Sequence, residues 1–298
     1  MKVLNCTPKK NSPCSVALGT FDGLHIGHIE LVKQAVDYAK EHKIDTCVFT
    51  FSANPSNSKY ITSNEQRQKI LSSHGVDVVV MQEFSQVFKN LSPQEFFNDY
   101  IVSKLNAKMI TVGFNYRFGH KGSGNIGLLS ELCGNNNIEL IVVPPVSYEN
   151  DVVSSTRIRE CVENGDLQGA NSMLGRDFSI MGIVQSGDRL GRQFGFPTAN
   201  VAVDINHVMP PQGVYATITE CNGKLYHSIT NYGGKPTIRQ GVNVIETYIL
   251  DFDKDIYGKT IEVSFVKKLR DITAFTSTNE LIIQLNNDKI TARQIFNC

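Results

Sequence analysis

The sequence predicts two units of different class. The first is an α/β domain with a parallel sheet, and the second is a mostly antiparallel β-barrel with a carboxy-terminal helix. Three observations carry this. Apolar strand-like runs alternate with helix-period segments up to Gly175, the pattern of a parallel sheet covered by helices. Beyond Gly175 the strand-like runs follow one another across short turns with no helices between them, which suits an antiparallel barrel. A chain of 298 residues is long enough for two separate cores. The expected domains are residues 1–175 and 176–298.

In the first half, Val16–Leu18 is a short apolar strand, and residues 27–42 place Ile29, Leu31, Val32, Ala35, Val36 and Ala39 at helical spacing. Thr46–Phe51 and Val76–Met81 read as strands on either side of a helix at 63–74 that stops at Gly75. Ser92-Pro93-Gln94-Glu95 is a helix start with its own capping box. Met109–Val112 and Ile138–Val143 are further strands around a helix at 125–133. Gly165-Asp166 opens a short helix that Gly175 ends.

The second half reads as strands at Ile180–Gln185, Val214–Glu220, Lys224–Tyr232, Val244–Phe252 and Thr260–Val266. Asn222-Gly223 suits a type I′ hairpin. Residues 277–286 are helical, with a second helix expected after Asp288.

Composition narrows the function. Lys plus Arg and Asp plus Glu both number 29, which argues against broad nucleic-acid binding. No apolar run approaches the ~20 residues of a membrane span, and the amino terminus lacks the apolar stretch of a signal peptide. A cytoplasmic protein is expected. The seven cysteines are scattered, with no Cys-x-x-Cys pair, and read as reduced thiols rather than a disulfide or zinc framework. Homo-oligomer formation is left open.

The richest segment is Gly19-Thr20-Phe21-Asp22-Gly23-Leu24-His25-Ile26-Gly27-His28, directly after the first strand. It places His25 and His28 where one ligand can meet both. Gly27 lets a phosphate approach the backbone, and the following helix offers free N–H groups to an anion. This pattern points to nucleotidyl transfer. Ser154-Ser155-Thr156-Arg157-Ile158-Arg159 adds hydroxyls and guanidinium groups at a loop-to-helix junction. Taken alone, that segment is equally a helix cap with solvated arginines.

In the second half a glycine-rich loop with Gly191 and Arg192 precedes Pro197-Thr198-Ala199-Asn200. In an extended segment Thr198 and Asn200 face the same side, and their oxygens suit Mg²⁺ carrying nucleotide phosphates. Read alone, a turn with a helix cap explains the segment slightly better. Gly122-Ser123-Gly124-Asn125-Ile126-Gly127 matches a dinucleotide-binding pattern but follows a polar loop rather than a strand. There is no Walker A sequence.

From end to end the chain resembles the prokaryotic bifunctional riboflavin kinase/FMN adenylyltransferase (FAD synthetase) family. The resemblance runs through Gly19–His28, Val112–Gly119, Ser154–Arg159, Gly165-Asp166, Gly191-Arg192, Gly195–Asn200, Gly213–Tyr215, Asn231–Thr237, Glu246, Tyr257–Lys259 and Arg270. It implies a Rossmann-like nucleotidyltransferase domain that transfers AMP from ATP to FMN, giving FAD and pyrophosphate. It also implies a six-stranded riboflavin kinase barrel that uses ATP and Mg²⁺.

The same resemblance implies that His25, His28 and Arg157 act in catalysis of adenylyl transfer. Gly19, Phe21, Asp22, Gly27, Asn54, Asn115, Ser155 and Thr156 would bind nucleotide or flavin there. In the kinase half, Thr198 and Asn200 would hold Mg²⁺ and phosphate, and Gly191 and Arg192 would bind nucleotide. Glu246 would be general base toward the ribityl 5′-hydroxyl, and Arg270 would shape the flavin end.

The chain departs from the family pattern at three places. Asn54 stands where His is usual, Tyr248 where His is common and Lys235 where Arg is common. Asn donates a hydrogen bond but carries no charge. Two alternatives follow: retention of one activity only, or a flavin-binding protein without turnover. The second has no need of a base or a phosphate clamp.

Overall fold

The computed structural model describes residues 1–5, 12–55, 58–186, 194–233 and 242–297. Two compact units emerge, Met1–Ser155 and Thr156–Cys298.

In the first unit six strands form one sheet: β1 (Lys2–Leu4), β2 (Cys14–Leu18), β3 (Asp45–Phe51), β4 (Val78–Gln82), β5 (Ala107–Gly113) and β6 (Glu139–Val143). Their order is β1-β4-β3-β2-β5-β6, and every pairing is parallel. β2 is buried along its whole length, as expected of a strand covered on both faces. Helix α1 (Ile26–His42) buries Leu31, Val32, Ala35, Val36 and Ala39 on one sheet face. The other face meets an aromatic cluster that includes Phe49, Phe88, Phe96 and Phe118. Helices α2 (Asn64–Ser73) and α3 (Ile126–Asn135) complete the alternation. The first unit also holds a two-stranded antiparallel ribbon, β7 (Ser147–Tyr148) and β8 (Asp151–Val152).

Strand order reverses at β2, whose neighbours are β3 and β5. Ligands of open α/β sheets bind beyond the carboxyl ends of the strands at such a reversal. The loop after β2 is the Gly19–His25 turn, and the loop after β5 carries Asn115.

In the second unit α4 (Ser155–Asn164, whose first residue belongs to the first unit) and α5 (Leu167–Leu174) precede the barrel. Asp166 caps α5 and Gly175 ends it at φ +70°. Asn171 ties α5 to the barrel entrance, accepting the Phe178 N–H at 2.7 Å. The barrel strands are β9 (Ser179–Gln185), β10 (Thr198–Asp204), β11 (Gly213–Cys221), β12 (Lys224–Tyr232), β13 (Val242–Ile249) and β14 (Thr260–Arg270). They close in the order β10-β13-β12-β11-β14-β9, all antiparallel. Asn222 and Gly223 have φ of +52° and +74°, the two positive values a type I′ turn needs.

Three expectations are corrected. β1 adds an edge strand that three residues of pattern did not reveal. Strand β13 ends at Ile249, short of Phe252. The carboxy-terminal segment is one continuous helix, α6 (Thr278–Phe296). Asp288 does not open a second helix, because its carboxylate is buried against Arg270.

The barrel interior is unusually polar. Thr217, Thr219, Ser228, Thr230 and Thr247 are fully buried. Their hydroxyls form a chain from Thr219 through Ser228, Thr217 and Thr230 to Thr247, with links of 2.7–3.0 Å. Each hydroxyl is satisfied, so the chain favours one strand register over slipped alternatives.

His207, after β10, is also buried and bonds the Val208 carbonyl through Nδ1 at 2.7 Å. Burial lowers its pKa to about 4 from 6.5, against the opposing pull of the Val208 bond and Asp204. Between these values the unfolded chain binds the extra proton, so the contribution is complete above pH 6.5 and lost as pH falls toward 4. The second unit is therefore predicted to lose on the order of 3 kcal/mol across that window. Urea unfolding at pH 7 and at pH 4 checks this, and His207→Gln should flatten the pH dependence.

Candidate functional site

The segment after β2 leaves the sheet through a tight, strained turn. Phe21, Gly23 and Leu24 have φ of +50°, +83° and +42°, and Phe21 and Leu24 are fully buried. Bulky side chains in this backbone region cost roughly 1–3 kcal/mol each and persist only where the surroundings over-determine them. The turn delivers His25 to the cap position of α1. There its Nδ1 accepts the His28 N–H at 3.3 Å. An accepting Nδ1 leaves the ring proton on Nε2 in the neutral form. The His25 and His28 rings stack with centroids 3.6 Å apart and planes at 17°. Phe21 meets His28 edge-on at 5.3 Å.

A Cβ at Gly27 would lie 3.3 Å from the His25 ring. The missing side chain thus makes room for the imidazole as well as for an approaching anion. At Gly19 a Cβ would meet the Phe21 ring at 3.1 Å.

The Asp22 carboxylate, read from sequence as a nucleotide contact, is engaged by backbone. Its Oδ1 accepts the N–H of Ile61 at 2.8 Å and of Thr62 at 3.4 Å. Ser155 Oγ donates to the Asp22 carbonyl at 2.8 Å, so the start of the Ser-Thr-Arg segment meets the His-x-Gly-His turn. Thr156 and Arg157 follow in the first turn of α4. Asn115 is exposed beyond β5, and its Oδ1 lies 3.6 Å from the position of a Cβ on Gly113. Asn54 braces its own loop, its Nδ2 donating to Ser58 Oγ at 2.9 Å and to the Ser58 carbonyl at 3.3 Å.

In the barrel, strand register assembles the other candidates. Asn200 of β10 pairs with Glu246 of β13, and Glu246 pairs with Asn231 of β12. Residues in such a row project from the same sheet face. It is the outer face: Glu246 is exposed, and its neighbours Ile245 and Thr247 are buried inward. Thr198 shares that face two residues before Asn200 and pairs with Tyr248. The Tyr248 ring meets Phe196 edge-on at 5.2 Å. Gly191 and Arg192 lie outside the described residues, as does Lys235.

Arg270 ends β14 and forks onto Asp288 of α6. Its Nε donates at 2.9 and 3.1 Å and its Nη2 at 2.8 Å, while Nη1 donates to the Asp271 carbonyl at 3.1 Å. This guanidinium, expected at the flavin end, holds the carboxy-terminal helix against the barrel. Val214, Ile229 and Leu250 pack against Ala292 of that helix.

Sequence reasoning missed two charged side chains, Asp288 and Arg67. Both are buried. Their only sequence signal was a charge at helical spacing from apolar residues, which solvated surface residues share.

The family model described as FAD synthetase matches residues 7–157, and the one described as riboflavin kinase matches residues 174–296. A bifunctional riboflavin kinase/FMN adenylyltransferase from Listeria monocytogenes is 34% identical, covering 94% of this chain and 92% of the relative. The Escherichia coli K12 protein of the same description is 31% identical, covering 98% and 96%. A solved structure from Streptococcus pneumoniae superposes with a TM-score of 0.86 at 32% identity, covering 98% of this chain and 99% of that one. It is described as a macrolide-efflux protein. Among the described residues here, no helix is long and apolar enough to cross a membrane. With both domain models matched in order and relatives aligned over nearly their whole length, the chain belongs to the bifunctional riboflavin kinase/FMN adenylyltransferase family and carries both catalytic domains.

Proposed function

We propose that the two activities divide between the two residue sets described above, and that the stacked His25–His28 pair at the sheet's switch point carries adenylyl transfer. In this reading the FMN phosphate attacks the α-phosphorus of ATP in line, and pyrophosphate leaves. No covalent enzyme intermediate is needed. The work is to hold two mutually repelling anions together and to neutralise the leaving group. His25, with its proton on Nε2, donates toward a phosphate oxygen. His28 and the first-turn amides of α1 face the same charge. Ser155, Thr156 and Arg157 close the stretch matched to FAD synthetase, and we assign them to the same phosphates on the family resemblance. Gly19, Phe21 and Asp22 shape the turn, and Asn54 and Asn115 lie on loops assigned to the substrates.

In the barrel we assign the general base to Glu246, which takes the proton of the ribityl 5′-hydroxyl as the γ-phosphate is transferred. Its row partners support this, since they are neutral oxygen donors. Thr198 and Asn200 share its face, and Asn231 Oδ1 is buried with no hydrogen-bond partner among the described residues. Such hard oxygens fit Mg²⁺, which favours few protein ligands together with phosphates and water. When bound, Mg²⁺ would neutralise phosphate charge. Gly191 and Arg192 are assigned to the nucleotide by the resemblance, and Arg270 to positioning of the flavin end through α6. The five described cysteines are thiols rather than disulfides, which fits the reducing cytoplasm.

The observation that carries the proposal is the 3.6 Å stacking of His25 on His28 at a helix start beside Ser155's contact to Asp22. Pure protein given ATP, Mg²⁺ and either riboflavin or FMN should convert both. Excess chelator should stop the phosphorylation of riboflavin. Conversion of only one flavin would leave the other site degenerate.

A further inference from the structure

Beneath the Gly19–His25 turn lies a charged side chain that no motif marks. Arg67 sits in α2 and is 7% exposed. Its guanidinium joins three segments. Nη1 donates to the Thr20 carbonyl at 3.3 Å and to Thr50 Oγ1 at 3.2 Å. Nη2 donates to the Phe51 carbonyl at 2.9 Å and to Asn64 Oδ1. Thr50 Oγ1 in turn donates to the same Thr20 carbonyl at 2.8 Å. One planar fork therefore ties the carboxyl ends of β2 and β3 to the start of α2.

A second set of bonds grips the next residues of the turn. Asp22 Oδ1 accepts the backbone of Ile61 and Thr62, and Thr62 Oγ1 accepts the Gly23 N–H at 3.0 Å. Asp22 also favours the charged guanidinium, against the burial that pulls Arg67 below its ordinary value. The turn between Thr20 and His25 holds two buried residues in the left-handed region. Such a conformation survives only when fixed from outside. Arg67 and the Asp22–Thr62 contacts are that fixation, and the turn they hold decides where α1 begins.

We infer that Arg67 is a positioning residue for adenylyl transfer: its buried fork sets the Thr20–Leu24 turn and thereby the placement of the His25–His28 pair. This rests on the reading of that pair as the phosphate site. Arg67 touches no reacting group. It acts through Thr20 and the cap of α1. A lysine would keep the buried cation, but as a point donor without the planar fork.

The test compares Arg67→Gln and Arg67→Lys with the parent, using His28→Ala as a control. Steady-state FAD formation from FMN and ATP is measured per folded molecule. Hydrogen exchange of the β2 and β3 amides counts the folded fraction. Displacing a catalytic pair by about 1 Å costs on the order of 100-fold. Arg67→Gln should therefore lower kcat for FAD formation by about 10- to 100-fold, with KM for FMN changed by less than about threefold and riboflavin phosphorylation unchanged. Arg67→Lys should fall between the two. A merely structural role would lower the folded fraction and leave kcat per folded molecule intact, which would overturn the inference. If Arg67→Gln does not fold, Arg67→Lys decides, and parental kcat in that variant refutes the need for the fork. Parental activity in His28→Ala would instead sink the phosphate-site reading, whatever Arg67 does.

Discussion

His28→Ala is expected to abolish FAD formation while riboflavin phosphorylation continues at the parental rate. The loss should reach about 10²–10³-fold in kcat, or roughly 2.7–4 kcal/mol, the scale for removing one transition-state donor. The size follows from the geometry. His28 is stacked on His25 and presents its backbone N–H to His25 Nδ1. Alanine keeps that N–H, so His25 keeps its tautomer and the cap of α1 survives. What goes is one imidazole facing the pyrophosphate as charge builds on it. The barrel keeps all its residues, since the turn belongs to the first unit. Chromatographic assay of FMN and FAD from riboflavin should show FMN accumulating. Equal loss of both products would contradict two separate sites.

Glu246→Gln is expected to have the opposite selectivity. Riboflavin phosphorylation should fall by about 10²–10⁴-fold, the usual contribution of a positioned general base, while FAD formation from supplied FMN is unaffected. Gln preserves size and hydrogen bonding but accepts no proton. Glu246 is exposed on the outer barrel face between Asn200 and Asn231. Its replacement disturbs neither the hydroxyl chain inside the barrel nor the Arg270–Asp288 fork. Folding should be unchanged, and initial rates with riboflavin and with FMN separate the two activities directly.

Much of this was legible because local pattern and global fold agree. The helix at α1 showed in the spacing of Ile29, Leu31, Val32, Ala35, Val36 and Ala39; the last five are buried and Ile29, in the first turn, is half-buried against the same core. Ser92 and Glu95 form the expected capping box, and Asn222-Gly223 makes the expected hairpin. The paired histidines were visible because glycine punctuation and a preceding strand surround them.

What stayed hidden depends on contacts distant in sequence. The pairing of Lys2–Leu4 with β4 needs a partner more than 70 residues away. Arg67 gave no sign of its fork, because the carbonyls it binds carry no sequence signature. Asp22 and Arg270 stood in functional motifs, yet the bonds seen here are structural, one to the Ile61–Thr62 backbone and one to Asp288. The hydroxyl chain in the barrel likewise arises from alternate Ser and Thr positions on three neighbouring strands. In each strand alone they read as ordinary β-formers.

The most direct measurement is complementation of the two variants in one tube. With ATP, Mg²⁺ and riboflavin, purified His28→Ala alone should stop at FMN, and purified Glu246→Gln alone should leave riboflavin almost untouched. Mixed together they should make FAD after a lag that shortens as His28→Ala is increased. A mixture that yields no FAD, or a single substitution that silences both steps, would contradict the division of labour between the histidine turn and the barrel face.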